Sequence, residues 1–224
     1  MMKFASIRMF LLGLFLAAGP AMAKEPAPAP APALPTVVST DPTVQPENIV
    51  LLYLSNGGKV TIRLMPEWAP NHVERIKTLV REGFYNGIVF HRVIDGFMAQ
   101  TGDPTGTGQG GSKLPDLKAE FNAMPHLRGT LSMARTDEPD SANSQFFIVF
   151  YPRFALDRKY TVFGRVIAGM DAVDAIERGE PPANPTKILQ AAMAADNLPP
   201  PAIPAPTPAP AAISADQLSN SQSN

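Results

Sequence analysis

Residues 90–103 read FHRVIDGFMAQTGD, two strand-like runs joined by Asp-Gly at 95–96. Alternation along the first run places Arg92 on one face of a strand, beside an aromatic residue. Met98 and Gln100 share a face of the second run. If the bend between the runs keeps the faces aligned, Arg92 stands next to both of them. The stretch therefore predicts an apolar hollow with a guanidinium and an amide at its edge.

This set of side chains suits one kind of reaction. A guanidinium keeps its proton in proteins, so Arg92 cannot act as a general base, but it can donate hydrogen bonds. Rotation about a prolyl amide needs little more than that. The barrier to rotation about a peptide bond is about 18–20 kcal/mol because twisting destroys amide resonance. A donor aimed at the proline nitrogen would bind the twisted state better than either planar state. No nucleophile, metal or cofactor is expected.

The segment 49–196 predicts one mainly β domain. Strands at 49–54 and 59–64 flank an SNGG turn, as in a hairpin. Apolar residues at helical spacing predict one helix within 69–83 and a shorter one within 169–179. The other strand-like runs are IVFHRVI, FMAQT, TLSMA, QFFIVF, TVFGRVI and KILQAAMA. Many short strands with two helices indicate an antiparallel sheet closed into a barrel.

The first 23 residues have the pattern of a secretory signal peptide. Lys3 and Arg8 form a basic start, an apolar run covers 9–18, and Ala-Met-Ala at 21–23 is typical of a cleavage site. The apolar run is short for a membrane span, although an uncleaved anchor is the alternative. We expect a periplasmic product with no membrane attachment after cleavage.

Proline- and alanine-rich segments flank the predicted domain. Residues 24–48 are expected to form an extended, semi-rigid linker without a core. Residues 197–224 are expected to form a disordered proline-rich tail. Spacers are the favoured interpretation of both segments, and ligands for proline-binding modules are the alternative.

Composition excludes several classes of protein. The chain has no cysteine, so disulfides, thiol catalysis and cysteine-ligated zinc are ruled out. The signal segment holds two of the 19 Lys+Arg and none of the 20 Asp+Glu, so its removal leaves a net charge of −3. This balance does not favour nucleic acid binding, and no basic amphipathic helix indicates a membrane surface. We expect a monomer.

Two other patterns are misleading. The glycines of 106–111 spell G-x-G-x-x-G, but Pro115 follows at once and no helix is predicted, so a dinucleotide site is rejected. The three histidines, His72, His91 and His126, show no metal-ligand spacing. Alternation turns His91 away from the face of Arg92, and we expect it to be a hydrogen-bonded structural residue.

The long motifs FHRVIxGFMxQxGD, GTGxGG, SMA, NSQFFI and LDxxYTVFGxVxxGMD occur in this order in the chain. Together they closely resemble the cyclophilin family of peptidyl-prolyl cis-trans isomerases, over residues 49–196. The resemblance implies a closed eight-stranded antiparallel barrel capped by two helices.

The resemblance also implies roles by matching position. Arg92 matches the catalytic arginine, and Gln100 and Gln145 match the amides that hold the arginine and the substrate backbone. The residues that match the proline pocket and its substrate contacts are Phe97, Met98, Ala134, Phe147, Leu156 and Tyr160, and residues 106–108 match the edge of the neighbouring groove. Taken singly, the apolar residues among them are also compatible with ordinary barrel core.

Three positions depart from the family pattern. Arg135 stands where the family often has asparagine, Tyr160 where many members have histidine, and Ala155, preceded by Phe154, where many have a large aromatic residue. These changes leave the arginine chemistry intact and alter the pocket wall. Binding of cyclosporin is characteristic of the family, and these changes predict that this chain binds it weakly.

The expected function is prolyl isomerisation in unfolded or newly exported polypeptides. Rotation of X-Pro bonds takes tens of seconds unaided and can limit folding, which gives an exported catalyst a role. The alternative is a binding module or chaperone on the same fold that holds proline-containing segments with weak or no turnover.

Overall fold

The computed structural model describes residues 33–202. The predicted signal peptide (1–23), residues 24–32 of the predicted linker and residues 203–224 of the predicted tail lie outside this range. No helix within 33–202 has the length and apolar character that crossing a bilayer requires.

Eight strands form one antiparallel sheet, as predicted. They are β1 (Ile49–Leu54), β2 (Lys59–Leu64), β3 (Arg92–Ile94), β4 (Met98–Thr101), β5 (Thr130–Met133), β6 (Phe146–Val149), β7 (Val162–Ala168) and β8 (Ile188–Met193). Their order across the sheet is β3-β4-β6-β5-β7-β2-β1-β8. The mainly β fold class is therefore confirmed.

The sheet curls into a half-barrel, so the prediction of a closed barrel was too strong. β3 and β8 lie at opposite ends of the strand order and share no ladder. β3 has only three residues, and its second edge meets the segment around Gly179 instead of β8. Single main-chain contacts cover the gap: Phe90 N donates to Thr186 O at 2.9 Å, and Val93 and Gly179 exchange bonds of 2.8 and 2.9 Å.

Both predicted helices are present. α1 spans Pro70–Arg81 and begins with a proline, whose missing N–H is harmless in a first turn. α2 spans Met170–Asp174 and is shorter than the sequence pattern predicts. Short 3₁₀ turns lie at Pro46–Asn48, Phe154–Leu156 and Ala194–Asp196.

Alternation along the strands separates the barrel core from a second apolar cluster. Phe146 and Ile148 of β6 point into the core under α1, whereas Phe147 points to the opposite face of the sheet. On β4, Ala99 joins the core and Met98 joins Phe147. The sheet therefore has a packed interior and an independent apolar site on its outer face.

Residues 34–44, which we call the strap, pack against the domain. The indole Nε1 of Trp68 donates to Pro35 O at 2.8 Å, and Leu34 and Val38 pack on the cluster that contains Trp68. The composition of 24–48 predicts a spacer without a core, and the strap differs from that expectation. A count of prolines and alanines cannot show that two apolar side chains have a partner elsewhere in the chain.

A buried arginine also holds the strap. Arg63 on β2 is only 3% exposed. Its guanidinium donates to the backbone carbonyls of Ser39, Asp41 and Val44. A buried charge needs such partners, because burial without them is strongly unfavourable. The strap therefore completes the surroundings of Arg63.

Candidate active site

The outer face of the sheet opens into a cavity of about 880 Å³. All the predicted site residues except Gln145 line this cavity: Arg92, Phe97, Met98, Gln100, Ala134, Phe147, Leu156 and Tyr160. They come from β3, β4, β6, the turn between β3 and β4, and the segments that follow β5 and β6. The curl of one sheet thus brings together residues that are far apart in the sequence.

The floor of the cavity is apolar and closely packed. Met98 is 1% and Phe147 5% exposed, and both belong to the cluster on the outer face. The ring of Tyr160 meets Phe147 edge-on at 6.0 Å, and the ring of Phe97 lies tilted at 6.3 Å from it. Such a hollow suits a small aliphatic ring, since it offers apolar contact on several sides.

Arg92 lies at the rim of this hollow. It is paired with Gln100 across β3 and β4, and its side chain is 44% exposed. Nε donates to Oε2 of Glu180 at 2.7 Å. Within the described residues, no acceptor bonds to Nη1 or Nη2. The guanidinium therefore keeps two donor groups available at the edge of an apolar pocket.

The two predicted amides bond to each other. Gln100 Nε2 donates to Gln145 Oε1 at 2.9 Å, and Gln145 Nε2 donates to the carbonyls of Gly108 and Gly110 at 3.1 and 2.7 Å. Gln100 lies opposite Arg92 in register, but its side chain bonds to Gln145 and not to the arginine. Gln145 lines a neighbouring hollow of about 450 Å³, which shares Gln100 and Ala134 with the first.

A glycine-rich loop forms the wall between the two hollows. Asp103, which is 1% exposed, accepts from Thr105 N at 2.7 Å and Gly108 N at 2.6 Å. Burial alone would raise the pKa of Asp103, but these bonds, with one from Gly110 N, lower it to about 2. No helix follows within 104–114, which agrees with rejecting a dinucleotide motif. The glycines shape a groove.

A buried histidine supports the pocket, and sequence reasoning gave it no such role. The ring of His126 stacks on Phe147 at 6.2 Å and 17°. Its Nδ1 bonds to Asp157 Oδ1 at 2.8 Å and its Nε2 to Ser132 Oγ at 3.0 Å. Burial lowers the pKa of His126, although Asp157 opposes this. His126 and Asp157 are 31 residues apart, and no spacing pattern connects them.

The expectation that His91 faces away from Arg92 was wrong, because His91 lines the cavity with Arg92. Neither ring nitrogen has a hydrogen-bond partner of good geometry within the described residues. The side chain is 6% exposed, and burial lowers the pKa of its ring, although Gln145 lies close enough to oppose this. Regular strand geometry begins only at Arg92, so the alternation used to turn His91 away does not reach it.

Two of the departures from the family pattern contact each other. The Arg135 guanidinium lies over the ring of Tyr160 at 4.5 Å and donates to Lys159 O at 3.2 and 3.0 Å. The Tyr160 ring therefore contacts both Arg135 and Phe147. Ala155 is exposed and Phe154 is 64% exposed, and neither lines the cavity.

The loop between α2 and β8 adds two residues that the sequence did not indicate. Glu180 and Pro181 line the cavity beside Arg92. Glu180 lies 88 residues from its partner, and neither motif nor periodicity connects them. No group of histidines and acids within 33–202 could hold a metal ion.

Known proteins match the chain over this domain. The family model described as cyclophilin-type peptidyl-prolyl cis-trans isomerase matches residues 49–193. A probable peptidyl-prolyl cis-trans isomerase of Brucella suis is 50% identical, over 71% of this chain and 89% of the relative. A peptidyl-prolyl cis-trans isomerase-like 1 protein of Aspergillus fumigatus is 46% identical, over 52% of this chain and 74% of the relative.

Solved structures give the same result. The crystal structure of a cyclophilin from Hirschia baltica has a TM-score of 0.64 and 33% identity, and the match covers 70% of this chain and 77% of that one. A cyclophilin-type isomerase of Cryptosporidium parvum, crystallised in the presence of the dipeptide Ala-Pro, has a TM-score of 0.60 and 28% identity, covering 65% of this chain and 98% of that one. Because the family model matches well over half of its length, the chain belongs to the cyclophilin-type peptidyl-prolyl cis-trans isomerases.

Proposed function

We propose that Arg92 accelerates X-Pro rotation in this isomerase by stabilising the twisted amide, without a covalent intermediate. The observation that carries the proposal is a guanidinium with two available Nη groups at the rim of an apolar hollow. At the twisted state the proline nitrogen regains its lone pair and can accept a hydrogen bond. Planar amides lack this acceptor, so the bond stabilises the transition state selectively.

The remaining residues would hold the substrate while it turns. The proline ring would occupy the hollow over Met98 and Phe147, where it loses contact with water. Ala134 and the linked amides of Gln100 and Gln145 border the path of the flanking peptide. One side of the bond would then be anchored while the other rotates.

The proposed substrates are proline-containing segments of unfolded or newly exported polypeptides. The cavity is open to solvent along the groove, so it suits an extended chain. The Cryptosporidium parvum relative was crystallised with a proline dipeptide, which supports this class of ligand. Export to the periplasm rests on the pattern of residues 1–23. We further propose that the mature chain acts as a monomer, without nucleic acid or membrane.

NMR exchange spectroscopy on an Ala-Pro peptide tests the function directly. The chain from residue 24 should raise the exchange rate between cis and trans isomers in proportion to its concentration. Binding of the peptide without faster exchange would favour the chaperone alternative. Intact mass of the exported protein tests the localisation, since a retained Met1 in the membrane fraction would contradict it.

A further inference from the structure

The carboxylate of Glu180 is the acidic partner of Arg92 within the described residues. Nε of Arg92 and Oε2 of Glu180 are 2.7 Å apart. Both side chains are about half exposed, at 44% and 50%. Exposed ion pairs are often fortuitous and contribute little to stability. This pair matters only if other contacts of the fold fix the position of Glu180 beside Arg92.

Backbone hydrogen bonds place Glu180 next to Arg92. Gly179 and Val93 exchange two backbone hydrogen bonds. Glu180 follows Gly179 and Arg92 precedes Val93, so Glu180 and Arg92 are neighbours. Gly179 has φ +147°, and a Cβ there would lie 2.5 Å from Pro182 Cα. Only glycine fits this position without moving the loop.

A second set of contacts anchors the same loop at Arg178, the residue before Gly179. The Arg178 guanidinium lies over the Phe150 ring at 4.3 Å. It also donates to the carbonyls of Asp174 and Ile176, at the end of α2. The loop is therefore fixed at the two residues that precede Glu180, and the carboxylate is presented at the rim of the cavity.

The bond uses the one donor of Arg92 that the proposed reaction does not need. Nε is occupied, whereas Nη1 and Nη2 stay available. The hydrogen bond to Nε also limits rotation of the guanidinium plane, because the edge of the planar group that carries Nε must face the carboxylate. A preorganised donor is worth more in the transition state than one that must first be ordered.

We propose that Glu180 is a positioning residue for Arg92, which holds the guanidinium in its working orientation without touching the substrate. The inference rests on the proposed role of Arg92. Glu180 therefore acts on kcat rather than on peptide binding, and its effect depends on the presence of the arginine.

The test compares Glu180→Ala, Glu180→Asp and Glu180→Gln by NMR exchange on a proline peptide. Ala and Asp should lower kcat by about two- to fivefold with KM unchanged, the scale of a half-exposed pair. Asp fails because it is one methylene too short to reach Nε. Gln should lose less, since its Oε1 still accepts. Glu177→Ala is the matched control, because it removes an equal charge from the same loop and should change nothing.

Two further readouts separate positioning from a general effect on the fold. In an Arg92→Ala background, Glu180→Ala should cause no additional loss. The Nε–Hε cross-peak of Arg92, assigned by its absence in Arg92→Lys, should broaden through exchange with water in Glu180→Ala. This cross-peak reports on the pair whether or not the chain turns over substrate.

Several outcomes overturn the inference. An unchanged cross-peak in Glu180→Ala would show that the pair does not form in solution. If Glu180→Ala changed the cross-peak but left kcat unchanged, the pair would not position the arginine for catalysis. The same conclusion would follow if Glu180→Ala lowered kcat equally in the wild-type and Arg92→Ala backgrounds. If the wild-type chain lacked turnover, the proposed function would fail by itself, and the cross-peak would still report on the pair.

Discussion

Gln100 donates from Nε2 to Oε1 of Gln145 at 2.9 Å, and this bond joins the two hollows of the groove. Because Gln145 also donates to the carbonyls of Gly108 and Gly110, a single amide connects β4 with the glycine-rich loop. The loop is in turn held by Asp103. The groove wall is thus a continuous hydrogen-bonded unit, and its parts should not act independently.

Replacing the central amide tests this unit. Gln145→Leu keeps the bulk of the side chain and removes all three bonds. We expect kcat/KM to fall about tenfold, since a lost hydrogen bond of this kind is worth ~1–1.5 kcal/mol. Adding Gln100→Leu should then cause little further loss, because its partner is already gone. Losses that simply multiply would contradict a shared role.

Arg92→Ala should lower kcat/KM by about two to three powers of ten, roughly 3–4 kcal/mol, the scale for removing one preorganised donor. Arg92→Lys should recover only part of this, because lysine lacks the planar fork. Folding should survive, since the Arg92 side chain is 44% exposed. Isomerisation assays measure the loss, and circular dichroism checks the fold. A folded Arg92→Ala variant with near wild-type turnover would refute the mechanism.

Removing the strap should destabilise the domain. A chain that begins at residue 45 lacks the carbonyls that bond Arg63 and the partner of Trp68. We expect its free energy of unfolding to fall by about 2–3 kcal/mol, less than the ~3–5 kcal/mol for breaking a fully buried ion pair, because water would reach Arg63. A chain that begins at residue 33 is the matched control and should keep its stability. Equal stability of the two chains, measured in urea, would show that the strap does not dock.

Buried histidines should make the domain less stable in mild acid. Burial lowers the pKa values of His72, His91 and His126 below the ordinary value of 6.5. Their stabilising contribution is therefore fully present above about pH 6.5 and is lost as pH falls toward the folded-state pKa values. Urea unfolding at several pH values should show a flat free energy from pH 7 to 8 and a decline below about pH 6.5. His126→Gln should reduce that decline, and an unchanged slope would exclude His126 as a contributor.

Strand alternation predicted the fold well, because each side chain's face follows from its neighbours in sequence. Arg92 and Gln100, for example, were expected on one face beside the hollow and both line the cavity. Alternation failed at His91, which precedes the regular part of β3. The contacts of Glu180 and of the strap depend on tertiary neighbours that are distant in sequence. Neither composition nor periodicity contains information about such pairs.

The small residue at position 155, which does not reach the cavity, predicts weak binding of cyclosporin. Ala155 offers only a methyl group where many family members have a large aromatic ring, and Phe154 points to solvent, 64% exposed. Ala155→Trp should tighten binding by about tenfold or more, because a large apolar side chain that becomes buried contributes ~1.5–3 kcal/mol. Phe154→Ala distinguishes the alternative, since it should leave binding unchanged unless Phe154 swings into the gap. Titration calorimetry measures all three chains. Tight binding by the wild type that Phe154→Ala abolishes would show that Phe154 supplies the missing wall.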